Sequence, residues 1–232
     1  MLQPVAMKLS VVVPMLNEER VIAATVRAIR AGAPGAELIV VDGGSSDRSV
    51  EIAGTLCDRV IEAPRGRARQ MNAGAHAASG DALVFVHADT TVPPNFACEI
   101  EQAMRDQRVV GGRFDVMLDD PSLACRVLGV LISMRSRLSR VGTGDQAIFV
   151  RRNVFQRLGG FPEIELCEDL EFSRRLKRVG GVACLRSRVT TSARRWRKYG
   201  LLRTVVRMWL LKSLFLAGVS PSWLKRRYTD TR

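Results

Sequence analysis

At 232 residues, with 47% hydrophobic and 25% charged side chains, the chain can form one folded α/β domain with a little left over. That balance excludes a disordered chain, a small disulfide-stapled scaffold and a polytopic membrane protein. The net charge of +13 is unevenly placed: residues 1–173 carry 19 basic and 22 acidic groups, whereas residues 174–232 carry 17 basic groups and Asp230 alone as an acid. A surplus so placed suits an anionic partner, whether a phosphate-bearing ligand, a nucleic acid or a lipid surface.

In chain order, the β-branched run 9–14 predicts a strand, and Ile22, Val26 and Ile29 give residues 18–31 a helical stripe that Gly32 stops. Residues 37–41 read as a second buried strand closed by Asp42-Gly43-Gly44. A helix over 46–56 starting at Ser46 or Asp47 follows, then a short strand over 59–62 and a helix from Arg67 to Ala78. The continuous apolar segment 81–87 is a strand. Alternation at this spacing predicts a mainly parallel sheet wrapped by helices, a three-layer α/β/α arrangement. The second half is less regular, with strands over 111–117 and 147–151 and helices over 122–139 and 168–179.

Five widely spaced cysteines with no Cys-x-x-Cys pair predict reduced, mostly buried thiols. Residues 1–14 lack a cleavage pattern, so a cytoplasmic protein is expected.

In doubly wound sheets, ligands bind beyond the carboxyl ends of the strands, which here carry Pro14 to Glu18, Asp42 to Asp47 and His87 to Asp89. Asp42, Asp47 and Asp89 would converge at one sheet edge, with Arg65, Arg67 and Arg69 nearby. Carboxylates beside cations point to a divalent metal and a phosphorylated ligand, because a hard metal takes oxygen ligands and a diphosphate needs neutralising. Neither a Gly-x-Gly-x-x-Gly nor a P-loop motif is present, which weighs against a dinucleotide-binding domain and a nucleoside triphosphatase.

The ordered set Val13-Pro14 with Asn17-Glu18-Glu19, Val41 to Asp47, Arg67 to Asn72 with Gly74, His87-Ala88-Asp89, and Cys167-Glu168-Asp169 with Arg175-Leu176 and Gly180 resembles family 2 glycosyltransferases of the GT-A fold. The resemblance covers about residues 8–200. Gly144-Asp145-Gln146 and Thr191 to Trp196 look most like the radical-SAM/selenodomain-associated transferase 2 subfamily.

This resemblance implies a donor site for a nucleotide-diphosphate sugar built from Pro14, Asn17, Glu18, Asp42, Asp47, Arg67, Asn72, His87, Arg194, Arg195 and Trp196. Asp42 would bond the base or ribose and Asp47 would help seat the nucleotide. Asp89 would be the chief ligand of Mg²⁺ or Mn²⁺, and Asp169 the general base that activates an acceptor hydroxyl for inversion at the sugar carbon. The sequence departs from the usual Asp-x-Asp metal motif, since His87 stands where the first carboxylate would be; a neutral imidazole still offers Mn²⁺ a nitrogen. Each residue alone has a structural alternative, Asp42 and Asp47 as turn and N-cap groups, Asp169 as a helix N-terminal acid, and His87 as a hydrogen-bonded strand-end side chain.

The expected division is a glycosyltransferase domain over 1–199 and a basic amphipathic tail over 200–232. Ten Leu, Phe and Val residues between 199 and 219 favour membrane insertion by about 3 to 6 kcal/mol, while Arg203, Arg207 and Lys212 cost about 7.5 to 10.5 kcal/mol at a helix centre. The tail is therefore expected to lie on the inner membrane face as a peripheral interfacial helix, with docking on the domain as its alternative. The acceptor is unnamed by the sequence, a lipid or other amphipathic molecule being the candidate, and the aliphatic density of the tail argues against nucleic acid. Two rival readings are a polyprenyl-phosphate sugar transferase, which needs no base, and a catalytically degenerate nucleotide-sugar-binding or membrane-adaptor protein.

Overall fold

The computed structural model describes residues 7–227. Its elements run β1 (Leu9–Met15), α1 (Ile22–Gly32), β2 (Glu37–Asp42), α2 (Ser49–Gly54), β3 (Arg59–Glu62), α3 (Arg67–Ala77), β4 (Ala82–Phe85), β5 (Thr90–Thr91), α4 (Phe96–Met104), β6 (Val109–Leu118) and α5 (Leu123–Ser139). A 3₁₀ turn (Gly144–Gln146) leads to β7 (Ile148–Arg151), α6 (Arg152–Arg157), α7 (Glu168–Val179), β8 (Gly181–Thr191), α8 (Arg194–Tyr199), α9 (Leu201–Leu216) and α10 (Pro221–Arg227).

Among the described residues, eight strands form one sheet in the order β3-β2-β1-β4-β7-β6-β8-β5. Strands β1 to β4 run parallel, as do β6 and β8; β7 is antiparallel to both of its neighbours and β5 to β8. The apolar runs read from the sequence become central strands buried on both faces, as parallel sheets require. Val11, Val13, Leu38, Val40 and Val84 face a core closed by Ile22, Val26 and Ile29 of α1 and by Phe96, Ile100 and Met104 of α4. Their neighbours Val12, Ile39, Val41, Leu83 and Phe85 face the opposite core, closed by Met71 and Ala75 of α3, Phe155 of α6 and Phe172 of α7. Gly74 lets α3 approach: a Cβ there would fall 2.3 Å from Val12 Cγ1. Pro14 is tolerated in an inner strand because the pairing of β1 with β4 ends at Val12, so its missing N–H removes no bond on that side.

Several boundaries differ from expectation for local reasons. The first helix begins at Ile22 rather than 18, since Asn17 takes a left-handed φ of 52° and turns the chain. The helix read over 46–56 contracts to Ser49–Gly54, because the Asp47 carboxylate accepts from Ser49 N and Oγ and fixes a turn before it. The stretch 199–219 becomes α9 alone, set off from α8 by Gly200 at φ 80°. The cysteines are all unpaired, but Cys98 is exposed and Cys57 and Cys184 are half-buried, so only Cys125 and Cys167 match the expected burial.

Helix α9 packs on the domain. Leu211, with Leu224 of α10, meets Val141, Leu166 and Leu170, while Leu201 and Val205 meet Leu128 of α5 and Trp196 of α8. Among the described residues no helix is long and apolar enough to cross a membrane.

Candidate active site

At the carboxyl ends of β1 and β2, the loops are knitted together by side chains. Asp42 Oδ2 accepts from Gly44 N and Ser45 N, both at 2.9 Å, and Oδ1 accepts from Ser45 Oγ at 2.5 Å. Asn17 Oδ1 accepts from Ser46 N at 2.8 Å, while Ser45 Oγ accepts from Asn17 N at 2.9 Å. Burial pushes the Asp47 carboxyl up, but its bonds from Ser49 and Glu19 outweigh that and hold its pKa below the usual range. Beneath this ledge Gln70, which the sequence did not single out, donates from Nε2 to Met15 O and Val41 O.

Next to the ledge lies a cavity of ≈430 Å³ whose lining includes Arg67, His87, Asp89, Asp169, Arg194, Arg195 and Trp196. Seven of the sequence-selected residues therefore meet in one space. Glu18, fully buried, ties that space to the ledge: its carboxylate takes Arg194 Nη2 at 3.1 Å and Nη1 at 3.3 Å, and Arg194 Nη2 reaches Asp89 Oδ2 at 3.9 Å. Such a fork fixes the guanidinium plane at the cavity wall.

Asp169 sits in the first turn of α7, delivered by Cys167, which adopts a left-handed φ of 68°. Its Oδ1 accepts from Leu170 N and its Oδ2 from Gly144 N, each at 2.6 Å. These bonds fix the carboxylate while leaving each oxygen a further lone pair. Gly144 also carries His87: a Cβ there would fall 2.5 Å from His87 Nε2 and 3.5 Å from Asp169 Oδ2. A side chain at this position would collide with the imidazole, while Asp169 would lie at ordinary contact distance.

Two neighbours are chemically constrained. Burial, with the Asp169 charge adding to it, pushes the Cys167 thiol up to about 12, so no thiolate nucleophile stands here at neutral pH. Burial likewise pushes the Glu168 carboxyl above its ordinary 4.5; the charge of Asp169 adds to this, and Arg67, at 3.8 Å, opposes it. With its native pKa raised, Glu168 holds more protons folded than unfolded, so stability falls as pH climbs from 4.5 through the native value. Glu168→Gln is expected to flatten that slope and to raise the urea midpoint at pH 7, as denaturation curves at several pH values would show.

Asn72 stands apart from the cavity. It donates from Nδ2 to Phe161 O and accepts Phe161 N at Oδ1, both at 2.9 Å, latching α3 to the loop after α6. Asn72→Ala should lower unfolding free energy by about 1–3 kcal/mol in urea and leave nucleotide affinity unchanged.

Three cavity groups escaped sequence reasoning. Asp145, Arg135 of α5 and Lys212 of α9 all line the space around Asp169. The resemblance had touched Asp145 only as part of a motif, and nothing in the helical patterns of 122–139 and 199–219 marks an inward-facing cation.

The residues present fit a divalent cation only in part. Asp89 faces the cavity beside His87, and Arg194, its neighbour at 3.9 Å, is already forked on Glu18, so Asp89 retains oxygens for another ligand. Among the described residues no group of three or more His, Cys, Asp or Glu side chains is placed to hold a metal. Diphosphate oxygens would have to supply the remaining ligands.

A mostly parallel sheet with a charged cleft at its carboxyl ends is the arrangement of ligand-binding α/β domains. The chain belongs to glycosyl transferase family 2, whose model matches residues 10–154. It is 28% identical over 199 residues to the probable glycosyltransferase YdaM of Bacillus subtilis, a match covering 75% of this chain and 47% of that protein. The chain thus spans about half the length of this curated relative. Among solved structures, S. aureus TarS in complex with UDP-GlcNAc superimposes with a TM-score of 0.65 at 16% identity, over 80% of this chain and 58% of that one. The mannosyltransferase PcManGT from Pyrobaculum calidifontis, in complex with GDP-Man and Mn²⁺, gives 0.69 at 19% identity, over 97% and 66%. At such identities these likenesses establish the fold, and they bear out the three-layer GT-A arrangement expected from the sequence.

Proposed function

We propose that the protein is an inverting glycosyltransferase that moves a sugar from a nucleotide-diphosphate donor to the hydroxyl of an amphipathic acceptor. The observation that carries this reading is the one cavity lined together by Asp89, Arg194, Asp169 and His87 beside the carboxyl ends of the strands. The ledge of Asn17, Asp42 and Asp47 would receive the nucleoside, and Arg67, Arg194 and Arg195 would meet the diphosphate, with Trp196 beside the sugar. Asp169 accepts the acceptor's hydroxyl proton as the new C–O bond forms; the C–O bond to the diphosphate breaks on the opposite face, and nucleoside diphosphate leaves. A divalent cation held by Asp89 and His87, Mg²⁺ or Mn²⁺, would supply neutralisation of the charge on that leaving group. Placement in the radical-SAM/selenodomain-associated subfamily remains part of this proposal, resting on Gly144-Asp145-Gln146 and Thr191 to Trp196.

The reading extends to an anionic membrane surface on the cytoplasmic side, with residues 200–232 as a basic tail to the 1–199 domain. Leu123, Val127, Val130, Leu131, Met134 and Leu138 recur every one to four residues along α5, and all are exposed. Leu202, Val206, Trp209 and Leu210 repeat the pattern on α9. Arg203 is exposed beside them, whereas Lys212 turns toward the cavity. An apolar stripe rimmed by cations suits an interfacial position.

The test is turnover: UDP-, GDP-, CDP- and dTDP-sugars are incubated with the protein, Mn²⁺ and lipid extracts, and nucleoside diphosphate release and product anomeric configuration are measured. Release from one donor with inverted configuration supports the proposal. Tight nucleotide binding without release from any donor would support the degenerate binding-protein reading instead.

A further inference from the structure

Opposite the ledge, the cavity continues between α5 and α9, and here its walls change character. Leu131 and Ile132 from one helix and Met208 and Trp209 from the other form an apolar cleft, with Trp209 64% exposed at its edge. At the inner end, next to Asp169, stand Arg135 and Lys212. Arg135 Nη2 is buried and has no hydrogen-bond partner among the described residues, and the buried Lys212 lines the same space within reach of its charge. Asp145 Oδ1 is buried and equally unpartnered.

A buried donor and a buried acceptor without partners are costly, so Arg135 Nη2 and Asp145 Oδ1 leave this end of the cleft with polar groups that a ligand would satisfy. Burial pulls the pKa of both cations down and Asp145 and Asp169 hold both up, while the charge of Arg113 lowers Arg135 and that of Arg135 lowers Lys212. An anion between Arg135 and Lys212 would satisfy both. A hydroxyl on the same molecule would give Asp145 the donor it lacks and would lie beside Asp169.

Resting on the glycosyltransfer reading, we propose that the acceptor is an anionic amphipath, a phosphate-class headgroup bearing a hydroxyl and joined to an aliphatic chain. Its anion is held by Arg135 and Lys212 and its chain lies between α5 and α9. The apolar walls select the chain-bearing molecule over free phosphate, because inorganic phosphate gains nothing from Leu131, Ile132 and Met208. The two helices expose their apolar stripes beside this cleft, so a lipid headgroup could enter without its chain crossing water.

The proposal is tested by titrating the full-length protein with decyl phosphate below its micelle concentration, with inorganic phosphate and with decanol, following tryptophan fluorescence; Trp209→Phe identifies the reporting residue. Decyl phosphate is expected to bind at least tenfold tighter than either control. Arg135→Gln and Lys212→Met should each weaken it by 10- to 100-fold. Arg135→Lys, which keeps the charge but loses the fork, should weaken it less and serves where the glutamine variant does not fold. Equal affinity for decyl phosphate and inorganic phosphate, or unchanged affinity in every variant, would overturn the proposal. Nucleoside diphosphate affinity, measured on the same samples, should be unaltered by these substitutions; its absence in the wild type would count against the glycosyltransfer reading and not against the cleft.

Discussion

Asp169→Asn is expected to lower kcat by about 10²- to 10⁴-fold while leaving nucleoside diphosphate affinity unchanged. The substitution preserves shape, but it replaces one acceptor oxygen with an NH₂ group. Both native oxygens accept backbone N–H groups, from Leu170 and Gly144 at 2.6 Å, so either amide rotamer places a donor against a donor. A stability loss of about 1–3 kcal/mol should accompany the rate loss, and denaturation in urea would separate the two. A kcat effect with an intact donor site identifies Asp169 as the base. Near-normal turnover would remove that role and favour an acceptor that attacks through its own phosphate, as a polyprenyl-phosphate sugar transferase would use.

Helix α7 was legible in the sequence from its apolar stripe of Leu170, Phe172 and Leu176, while the role proposed for Asp169 in its first turn came from the family resemblance. Strands β1, β2 and β4 were legible for a related reason: buried on both faces, they read as unbroken apolar runs. Strand β8 was not. Its residues are only half-buried over much of their length, and the short apolar stretch Val182-Ala183-Cys184-Leu185 gives way to Arg186 and Arg188, so no single pattern marks the whole strand. Helix α4 was not predicted, although Phe96, Ile100 and Met104 recur every four residues.

The site divides in the same way. Motif residues at strand ends could be named, yet their chemistry could not be ranked, because Asn72 spends its amide on Phe161 and Asp42 spends its carboxylate on Gly44 and Ser45. In Asp42, the turn reading and the nucleotide reading coexist, since a carboxylate with two bonded oxygens still has lone pairs to offer. Arg135 and Lys212 show what a sequence cannot reveal. They are 77 positions apart, on helices whose direction of approach is fixed only when α9 packs Leu211 against α7 and Val205 against α5. Their partnership is tertiary, and no local period encodes it.

Asp89→Ala is expected to abolish the metal-dependent part of nucleotide stabilisation and to reduce turnover by about 10²- to 10³-fold. At a ligand concentration about 100 times its dissociation constant, the wild type should gain about 2.7 kcal/mol from the matching nucleoside diphosphate with Mn²⁺. Asp89 is the one acid of the His87-Ala88-Asp89 motif, so its loss leaves only an imidazole and diphosphate oxygens for the cation. A second consequence follows from Arg194. Freed from Asp89 at 3.9 Å but still forked on Glu18, that guanidinium keeps its place and can still meet the diphosphate. The variant should therefore retain weak, metal-independent nucleotide binding, while Glu18→Gln, which loosens the fork, should weaken binding with and without Mn²⁺ alike. Thermal melts of both variants with and without the metal distinguish these contributions. Equal stabilisation of wild type and Asp89→Ala by nucleotide with Mn²⁺ would place the cation elsewhere, and would leave Arg67, Arg194 and Arg195 to neutralise the departing diphosphate.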